Sequence, residues 1–502
     1  MLSRVIRRVI LYVLAAIVVI VVVAAGVLYA FLSNDGIRVA LEQQATAWLG
    51  QPVHIAKVGA QFWPRPGVTL EQVSVGEPSR LTLAEVGLST DLQALLRRRI
   101  ADGAIRIRNT RLELPLPFEI PMSSASPGSE PSAFAIESIN SIGLDNVRVV
   151  SRGRELVLSG DSSFDGARLT IRRATVESGK TSIRAEGVVT LEPRVDAALK
   201  ASANRLDVDE LMALADAFGP AQTPAGARAK SGPPPRIAAR ISAETASAGG
   251  IEVRQFASDV QVNGDAVSMS PLTFQLFGGR YQGSLAARLG NTLSATLKSR
   301  LLDLDVAQLA EFGNAKDTVT GTLSGAGTFS GSGRDFAAVL AGARGSGTAQ
   351  IVKGTIRQLG LVRTVVVFFG KPADDAPGAS DAFDSIDLQF ALVNQVFRAE
   401  AMSLHSRDVD MVGSGTLATA TKALNGKFDI SLSESLSAQA GNDLQRYTRE
   451  GNRVVLPANL SGSLEKPRVT IDAGAAVQRG LKNELSNRLK GLLDRIGSSG
   501  SK

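Results

Sequence analysis

The sequence predicts a mainly β protein, built as a long antiparallel meander with one N-terminal transmembrane helix and few short helices. Short runs alternate apolar and polar residues, as where Leu272, Phe274 and Leu276 enclose Thr273 and Gln275. This period of two is typical of strands that bury one face. Glycine contributes 49 of the 502 residues, whereas aromatic residues make up only 5%. Such a composition suits many short strands separated by glycine turns.

The first element is a predicted membrane span over residues 9–32, which contain no charged residue. At about 1.5 Å per residue this segment would measure about 36 Å, enough to cross a hydrocarbon core of about 30 Å. Arg4, Arg7 and Arg8 precede it, so the positive-inside rule predicts a cytoplasmic N-terminus and places the rest of the chain beyond the membrane. A cleaved signal peptide is the alternative, but its apolar region usually has only about 7–15 residues.

Strands and hairpin turns dominate the remainder. Alternation predicts strands around Ile105 and Ile107, around Leu169 and Ile171, and on both sides of the turn residues 263–265 and 290–291. The glycine-rich stretch 321–347 keeps strand character. Helices are predicted over residues 37–49, 91–99, 207–218 and 303–312, and at the C-terminus. Asp207 and Asp303 are the expected N-caps of the third and fourth.

Proline-rich stretches suggest soft boundaries, because proline cannot run inside a central strand. The predicted organisation is 1–8 cytoplasmic N-terminus, 9–32 transmembrane helix, 33–118 N-terminal region, 119–218 β-rich segment, 219–236 proline-rich linker or loop, 237–370 middle β-rich segment, 371–475 C-terminal β segment, and 476–502 amphipathic helix and tail. That last helix could cap the sheet, bind a partner or lie on an anionic membrane surface.

Residue usage argues against catalysis and against nucleic-acid binding. The chain has no cysteine and only two histidines, His54 and His405, and it lacks the common nucleotide, hydrolase, zinc and calcium motifs. Beyond the three N-terminal arginines it carries 52 basic and 48 acidic residues, interspersed rather than clustered. We therefore expect no enzyme activity, no cofactor, no metal and no nucleic-acid partner.

The order of motifs along the chain resembles the AsmA-like proteins of Gram-negative inner membranes. One N-terminal span is followed by residues 48–55, WLGQPVHI, and then by residues 63–73, WPRPGVTLEQV. Near the other end, residues 413–417, GSGTL, precede residues 460–467, LSGSLEKP. The resemblance covers residues 1–115 and 345–475.

This resemblance implies an elongated, curled sheet that forms an open apolar groove, in a single-pass inner-membrane protein whose bulk is periplasmic. It implies a role in phospholipid movement or in outer-membrane assembly within the cell envelope. An uncovered apolar sheet face would also suit acyl chains on physical grounds. The lipid-contacting candidates are Val68, Leu70, Leu272, Phe274, Leu276 and Leu285. The alternative is a scaffold, bound to envelope proteins and without lipid, that supports outer-membrane protein biogenesis.

Overall fold

The computed structural model describes residues 35–61, 65–77, 79, 81–91, 99–100, 102–114, 135–136, 139–165, 167–218, 233–290, 292–356, 361–369, 382–438 and 448–481. The chain forms two compact units. Unit 1 comprises Met1–Gln255 and Val260–Gly264, and unit 2 comprises Phe256–Asp259 and Asp265–Lys502. Most described residues lie in strands, so the mainly β prediction is confirmed.

Unit 1 combines two helices with a large sheet. Its elements are α1 (Asp35–Leu49), β1 (Val53–Gln61), β2 (Gly67–Val75), β3 (Leu81–Ser89), β4 (Arg99–Ile100), β5 (Gly103–Arg108), β6 (Arg111–Leu114), β7 (Ala135–Ile136), β8 (Ile139–Ser151), β9 (Arg154–Phe164), β10 (Arg168–Ser178), β11 (Thr181–Thr190), β12 (Asp196–Asp207), α2 (Val208–Phe218) and β13 (Arg236–Ala248). The next strand, β14 (Ile251–Asn263), contributes residues to both units.

Helix α1 packs against the first strands because its apolar residues meet a small core. Leu41 and Ala45 contact a cluster that includes buried Ile55 and Val75. The half-buried Glu42 carboxylate accepts a hydrogen bond of 2.7 Å from the Ile55 amide nitrogen. The helix is therefore held to β1 by both apolar and polar contacts.

Unit 1 is an antiparallel meander interrupted by parallel pairs. Strand β8 runs parallel to β5 and β6, and β12 runs parallel to β13. Parallel neighbours cannot be joined by a tight hairpin and need a crossover connection. The connection between β12 and β13 contains α2 and residues 219–235 of the predicted linker, whose last residue, Arg236, begins β13. Residues 219–232 lie outside the described residues. The chain on both sides of the linker belongs to unit 1.

Unit 2 is an antiparallel sheet carrying short helices. Its elements are β15 (Ala266–Leu276), β16 (Gly279–Arg288), β17 (Leu293–Asp305), α3 (Val306–Phe312), β18 (Thr322–Gly333), α4 (Phe336–Ala341), β19 (Arg344–Thr355), α5 (Leu361–Phe368), β20 (Ala382–Val393), β21 (Val396–His405), β22 (Val409–Ala418), β23 (Leu424–Leu432), α6 (Glu434–Ser437), β24 (Arg449–Glu450), β25 (Arg453–Ser463) and β26 (Lys466–Ile471). Residues 473–481 are helical.

The sheet of unit 2 curls on itself. Lys422, in the turn between β22 and β23, donates a hydrogen bond of 3.0 Å to the carbonyl of Gly313, just after α3. The main core of unit 2 lies under α5 and α6, where Val365, Ile430 and Leu456 are fully buried.

Several helix predictions need correction. The fourth helix begins at Val306 and its N-cap is Asp305, not Asp303. Asp303 instead has a positive φ of 58°, at a register shift between β17 and β18. Helices α4 and α5 were not predicted, because α4 sits in a Gly- and Ala-rich stretch and α5 is a short apolar run that fits a strand equally well. Residues 92–98 of the helix predicted over 91–99 lie outside the described residues, and Arg99 begins β4.

Within the described part of the chain, no helix is both long and apolar enough to cross a bilayer. The predicted span over residues 9–32 lies outside those residues.

Candidate functional site

One row of apolar residues crosses nine successive strands of unit 2, from β15 to β23. Strand registers pair each member directly with the next, so all lie on the same face of the sheet. We call it the unit-2 row. Its members are Met269, Leu285, Leu297, Phe329, Gly345, Leu392, Phe397, Leu417 and Leu424. Every one of them is half-buried rather than buried.

The same face stays apolar toward the other end of the strands, where it becomes covered. A parallel row contains Ile386, Leu404, Met411, Ile430 and Leu456, again in direct register. These five side chains are buried, packed with Val365 and Val366 of α5 and Leu436 of α6. Helices therefore close this end of the apolar face, and the unit-2 row lies away from them.

Helix α4 sits at the opposite end of that face. A Cβ atom added to Gly331 would collide with the backbone of Val339, and one added to Gly333 would collide with Ala338. Glycine at these two positions of β18 therefore lets the helix rest directly on the strand. The unit-2 row lies between the two covered ends.

Aromatic rings lie across glycines on this face. A Cβ at Gly345 would meet the Phe329 ring, and a Cβ at Gly347 would lie 2.8 Å from the Phe390 ring. The ring centroid of Phe390 lies 6.3 Å from that of Phe329 and 5.7 Å from that of Phe397. Rings that cover strand glycines restore packing lost with the side chain. This part of the face is therefore formed by glycines and aromatic rings, none of which carries a charge.

Tyr281 adds an ionisable side chain to the apolar face of β16, beside the unit-2 row. Its ring stacks on Phe274 at 4.3 Å, and its hydroxyl lies 3.1 Å from the Ser299 Oγ. Burial raises the pKa of this phenol, and the hydrogen bond with Ser299 opposes the shift. The neutral form is therefore favoured, as expected in an apolar environment.

Unit 1 has an equivalent apolar row across ten strands. The members of this unit-1 row are Val58, Leu70, Val86, Ile107, Leu144, Gly160, Ala174, Ala185, Ala201 and Ile241, paired in direct register. Val58 is buried under α1, whereas the other nine are half-buried. Each unit therefore carries an apolar face of its own.

The opposite face of the unit-2 sheet carries most of its charged and hydroxyl side chains, together with a few apolar ones. A depression of about 620 Å³ there is lined by polar residues that include Arg300, Gln350 and Asp387, and also by apolar residues that include Leu302 and Val412. A second depression, of about 550 Å³, is lined mainly by Ser, Thr and Lys298. The charged and hydroxyl groups of the second depression suit water or polar ligands better than hydrocarbon.

The six predicted contact residues all lie on these apolar faces. Leu70 belongs to the unit-1 row and Val68 precedes it by two residues on the same face. Leu285 belongs to the unit-2 row, and Leu272, Phe274 and Leu276 lie on the same face of β15 by their pairing with β16. Leu272 is buried and the others are half-buried. The sequence patterns did not single out the glycines and phenylalanines of β18 to β21 as part of this face. The alternation of glycine with Thr or Ser in β18 and β19 could have indicated them.

The two histidines lie apart from these rows. His54 Nδ1 is 3.2 Å from Glu42, in unit 1, and His405 Nδ1 is 3.3 Å from Asp410, in unit 2. Both side chains are exposed. Among the described residues no group of His, Asp and Glu is arranged to hold a metal ion.

Comparison with known proteins gives a match to the N-terminal part of the chain. The model of a family described as YhdP protein matches residues 1–216. YhdP is an AsmA-like family, so the resemblance over residues 1–115 is supported. Its predicted extension over residues 345–475 lies outside the match and stays a prediction. No curated protein matches the chain, and no solved structure matches it.

Proposed function

From the similarity of residues 1–216 to an AsmA-like family, we propose that this is an inner-membrane-anchored periplasmic protein that shields phospholipid acyl chains along the apolar faces of its sheets. In this proposal residues 9–32 form the anchor and the protein supports outer-membrane lipid homeostasis. The observation that carries the lipid proposal is the unit-2 row, which is apolar on nine strands and half-buried throughout.

The size of this row supports acyl-chain binding. At about 4.8 Å between neighbouring strands, nine strands extend over about 38 Å along the sheet. A single leaflet contributes about half of a hydrocarbon core of about 30 Å, so the row is longer than one acyl chain. Each CH₂ group removed from water contributes about 0.8 kcal/mol, and lipid could therefore be held without a specific polar pocket.

The chemistry of the row supports binding and not catalysis. Neither row contains a carboxylate, an amine or an imidazole. Polar lipid head groups would remain in water beyond the covered region, because burying a phosphate without partners is costly. The proposed function accordingly needs no cofactor.

Photocrosslinking at neighbouring residues on opposite faces of β16 tests the proposal. Leu285 is half-buried on the apolar face, and Ala286 is exposed on the polar face. With a photoreactive phenylalanine at position 285 in cells, we expect a phospholipid adduct by mass spectrometry, and with the same group at 286 we expect none. Gently purified wild-type protein should also retain phospholipid.

Equal labelling at both positions, or purified protein that lacks lipid and retains an envelope protein, would contradict the lipid proposal and favour the scaffold alternative. As a second comparison, Leu285→Asp should lower the retained phospholipid by more than about half, whereas Ala286→Asp should not change it. Circular dichroism of both variants controls for unfolding. Because one Asp at a half-buried position costs roughly 1–3 kcal/mol, the crosslinking result takes precedence if Leu285→Asp unfolds.

A further inference from the structure

Exposed apolar side chains cluster at one end of the strands of unit 2, outside the apolar rows. Phe336 and Leu340 of α4 are 59% and 57% exposed, Leu289 in the β16–β17 turn is 52% exposed, and Val393 at the end of β20 is 47% exposed. We call residues 288–292, 334–344 and 393–395 the hairpin edge.

Strand register brings these segments together. Leu293 pairs with Gly333, which places the β16–β17 turn beside the segment that leads into α4. Arg344, which follows α4, pairs with Val393. The segments that carry the exposed residues therefore connect or end five adjacent strands, β16 to β20, and lie along one continuous edge.

A capping hydrogen bond and a buried side chain fix helix α4 on the sheet, and this sets the direction in which its exposed side chains point. Asp335 caps it by accepting a hydrogen bond of 2.7 Å from the Ala338 amide nitrogen. Val339 is buried against β18. Phe336 and Leu340 are four residues apart and thus lie on one side of the helix, while its inner side contacts the strand.

Three arginines surround this apolar patch. Arg288, Arg334 and Arg344 are exposed. Among the described residues, none of their three guanidinium groups has a hydrogen-bond or ion-pair partner. Nearby acids are Asp265 and the capping Asp335. Exposed Phe and Leu flanked by unpaired arginines are the combination that interfacial membrane-binding helices present.

We propose that the hairpin edge docks on an anionic phospholipid bilayer surface, with Phe336, Leu340 and Leu289 entering the interface and the three arginines contacting lipid phosphates. This goes beyond the proposed function, because shielding acyl chains on a sheet face does not require that this edge touch a membrane. The arginine charges match an anionic surface, and the apolar side chains match the boundary between head groups and acyl chains.

The absence of cysteine from the sequence allows a direct test with single-cysteine variants. Full-length protein carrying an environment-sensitive fluorophore at Leu340→Cys is reconstituted in nanodiscs of neutral lipid and then mixed with phosphatidylglycerol/phosphatidylcholine vesicles. We expect a blue shift and quenching by brominated lipid. The matched control is Leu309→Cys on α3, an exposed apolar position at the opposite end of the strands, which should show neither.

The charge contribution is tested with two triple variants that remove the same number of positive charges. Arg288→Gln/Arg334→Gln/Arg344→Gln should lower vesicle affinity at least about tenfold, since each basic residue near an anionic surface contributes about 1 kcal/mol. Arg280→Gln/Lys298→Gln/Arg300→Gln, on exposed positions of unit 2 outside the hairpin edge, should change it less than about threefold.

Equal losses in the two triple variants would overturn the proposal in favour of general charge attraction. It would also be overturned if the fluorophore at position 340 stays in water with anionic vesicles, or if it shifts without vesicles in proportion to protein concentration, which would indicate contact with a second copy. Co-purified phospholipid is measured in the first triple variant as well. A variant that loses vesicle binding but keeps this phospholipid has lost docking and not the proposed shielding of acyl chains.

Discussion

At the residue scale, Tyr281 shows how the apolar face of unit 2 treats a polar group. Its ring stacks on Phe274, and its hydroxyl lies 3.1 Å from the Oγ of Ser299 on the neighbouring strand β17. Burial disfavours the phenolate, so the pKa rises above its ordinary value of 10.0. Ionisation of Tyr281 would place a negative charge in apolar surroundings, which is unfavourable.

This pKa shift predicts a stability change at high pH. A group whose folded pKa is raised contributes its full stabilisation below its unfolded pKa and loses it as pH rises through the folded value. The stability of unit 2 should therefore fall above about pH 10, the ordinary tyrosine value. In a spectrophotometric titration at alkaline pH, the Tyr281 phenol should therefore contribute a late ionisation phase. Tyr281→Phe should remove that late phase, and its persistence would contradict the assignment.

At the element scale, helix caps decide where the short helices begin. Asp207 accepts a hydrogen bond of 3.1 Å from the Glu210 amide nitrogen and caps α2, as its sequence position predicts. For α3 the corresponding acid is Asp305, which accepts from the Ala307 amide nitrogen at 2.9 Å and from the Gln308 side chain at 3.1 Å. The strand before α3 therefore continues two residues further than the similarity between the two segments predicted.

We predict that Asp305→Ala lowers the free energy of unfolding by about 1 kcal/mol, within a range of about 0.5–2, because it removes the acceptor for an amide in the first turn of α3. The matched control is Asp303→Asn, since asparagine tolerates the positive φ at this position, and its effect should stay within about 0.5 kcal/mol. Denaturant unfolding measures both variants. If Asp303→Asn is the more harmful, Asp305 is not the N-cap that stabilises α3.

At the scale of the whole molecule, the described residues of each unit contain a core of their own. The core of unit 1 contains Ile55 and Val75 under α1. The core of unit 2 contains Ile430 and Leu456 under α5 and α6. Separate cores allow units to open at different free energies, and a single unfolding transition is then not expected.

We predict that Ile430→Ala, at a side chain with no exposed surface, destabilises unit 2 by about 2–5 kcal/mol. Hydrogen exchange measured by mass spectrometry should become faster in peptides of β20 to β25 and stay unchanged in those of β1 to β3. Ile55→Ala, a substitution of the same size in the other core, should give the reverse pattern. Equal acceleration throughout the chain in both variants would show one cooperative unit instead.

Local sequence patterns predicted the strands, their turns and the apolar positions, because alternation and turn chemistry depend on neighbouring residues alone. Leu272, Phe274 and Leu276 were therefore placed on one face correctly. Patterns of this kind missed α4 although Asp335 offers an N-cap, because the six residues Phe336–Ala341 are too few to show a helical period within a stretch that otherwise alternates as strands.

Composition and alternation are enough to predict a mainly β chain whose strands bury one face. They do not tell which strands are neighbours, that β8 pairs in parallel with β5 and β6 and β12 with β13, or which part of each apolar face the helices cover. Register and burial depend on pairing between segments that are distant in the sequence. A half-buried leucine of the unit-2 row and a buried one under α5 have the same local sequence pattern, and only the packing of the folded chain distinguishes them.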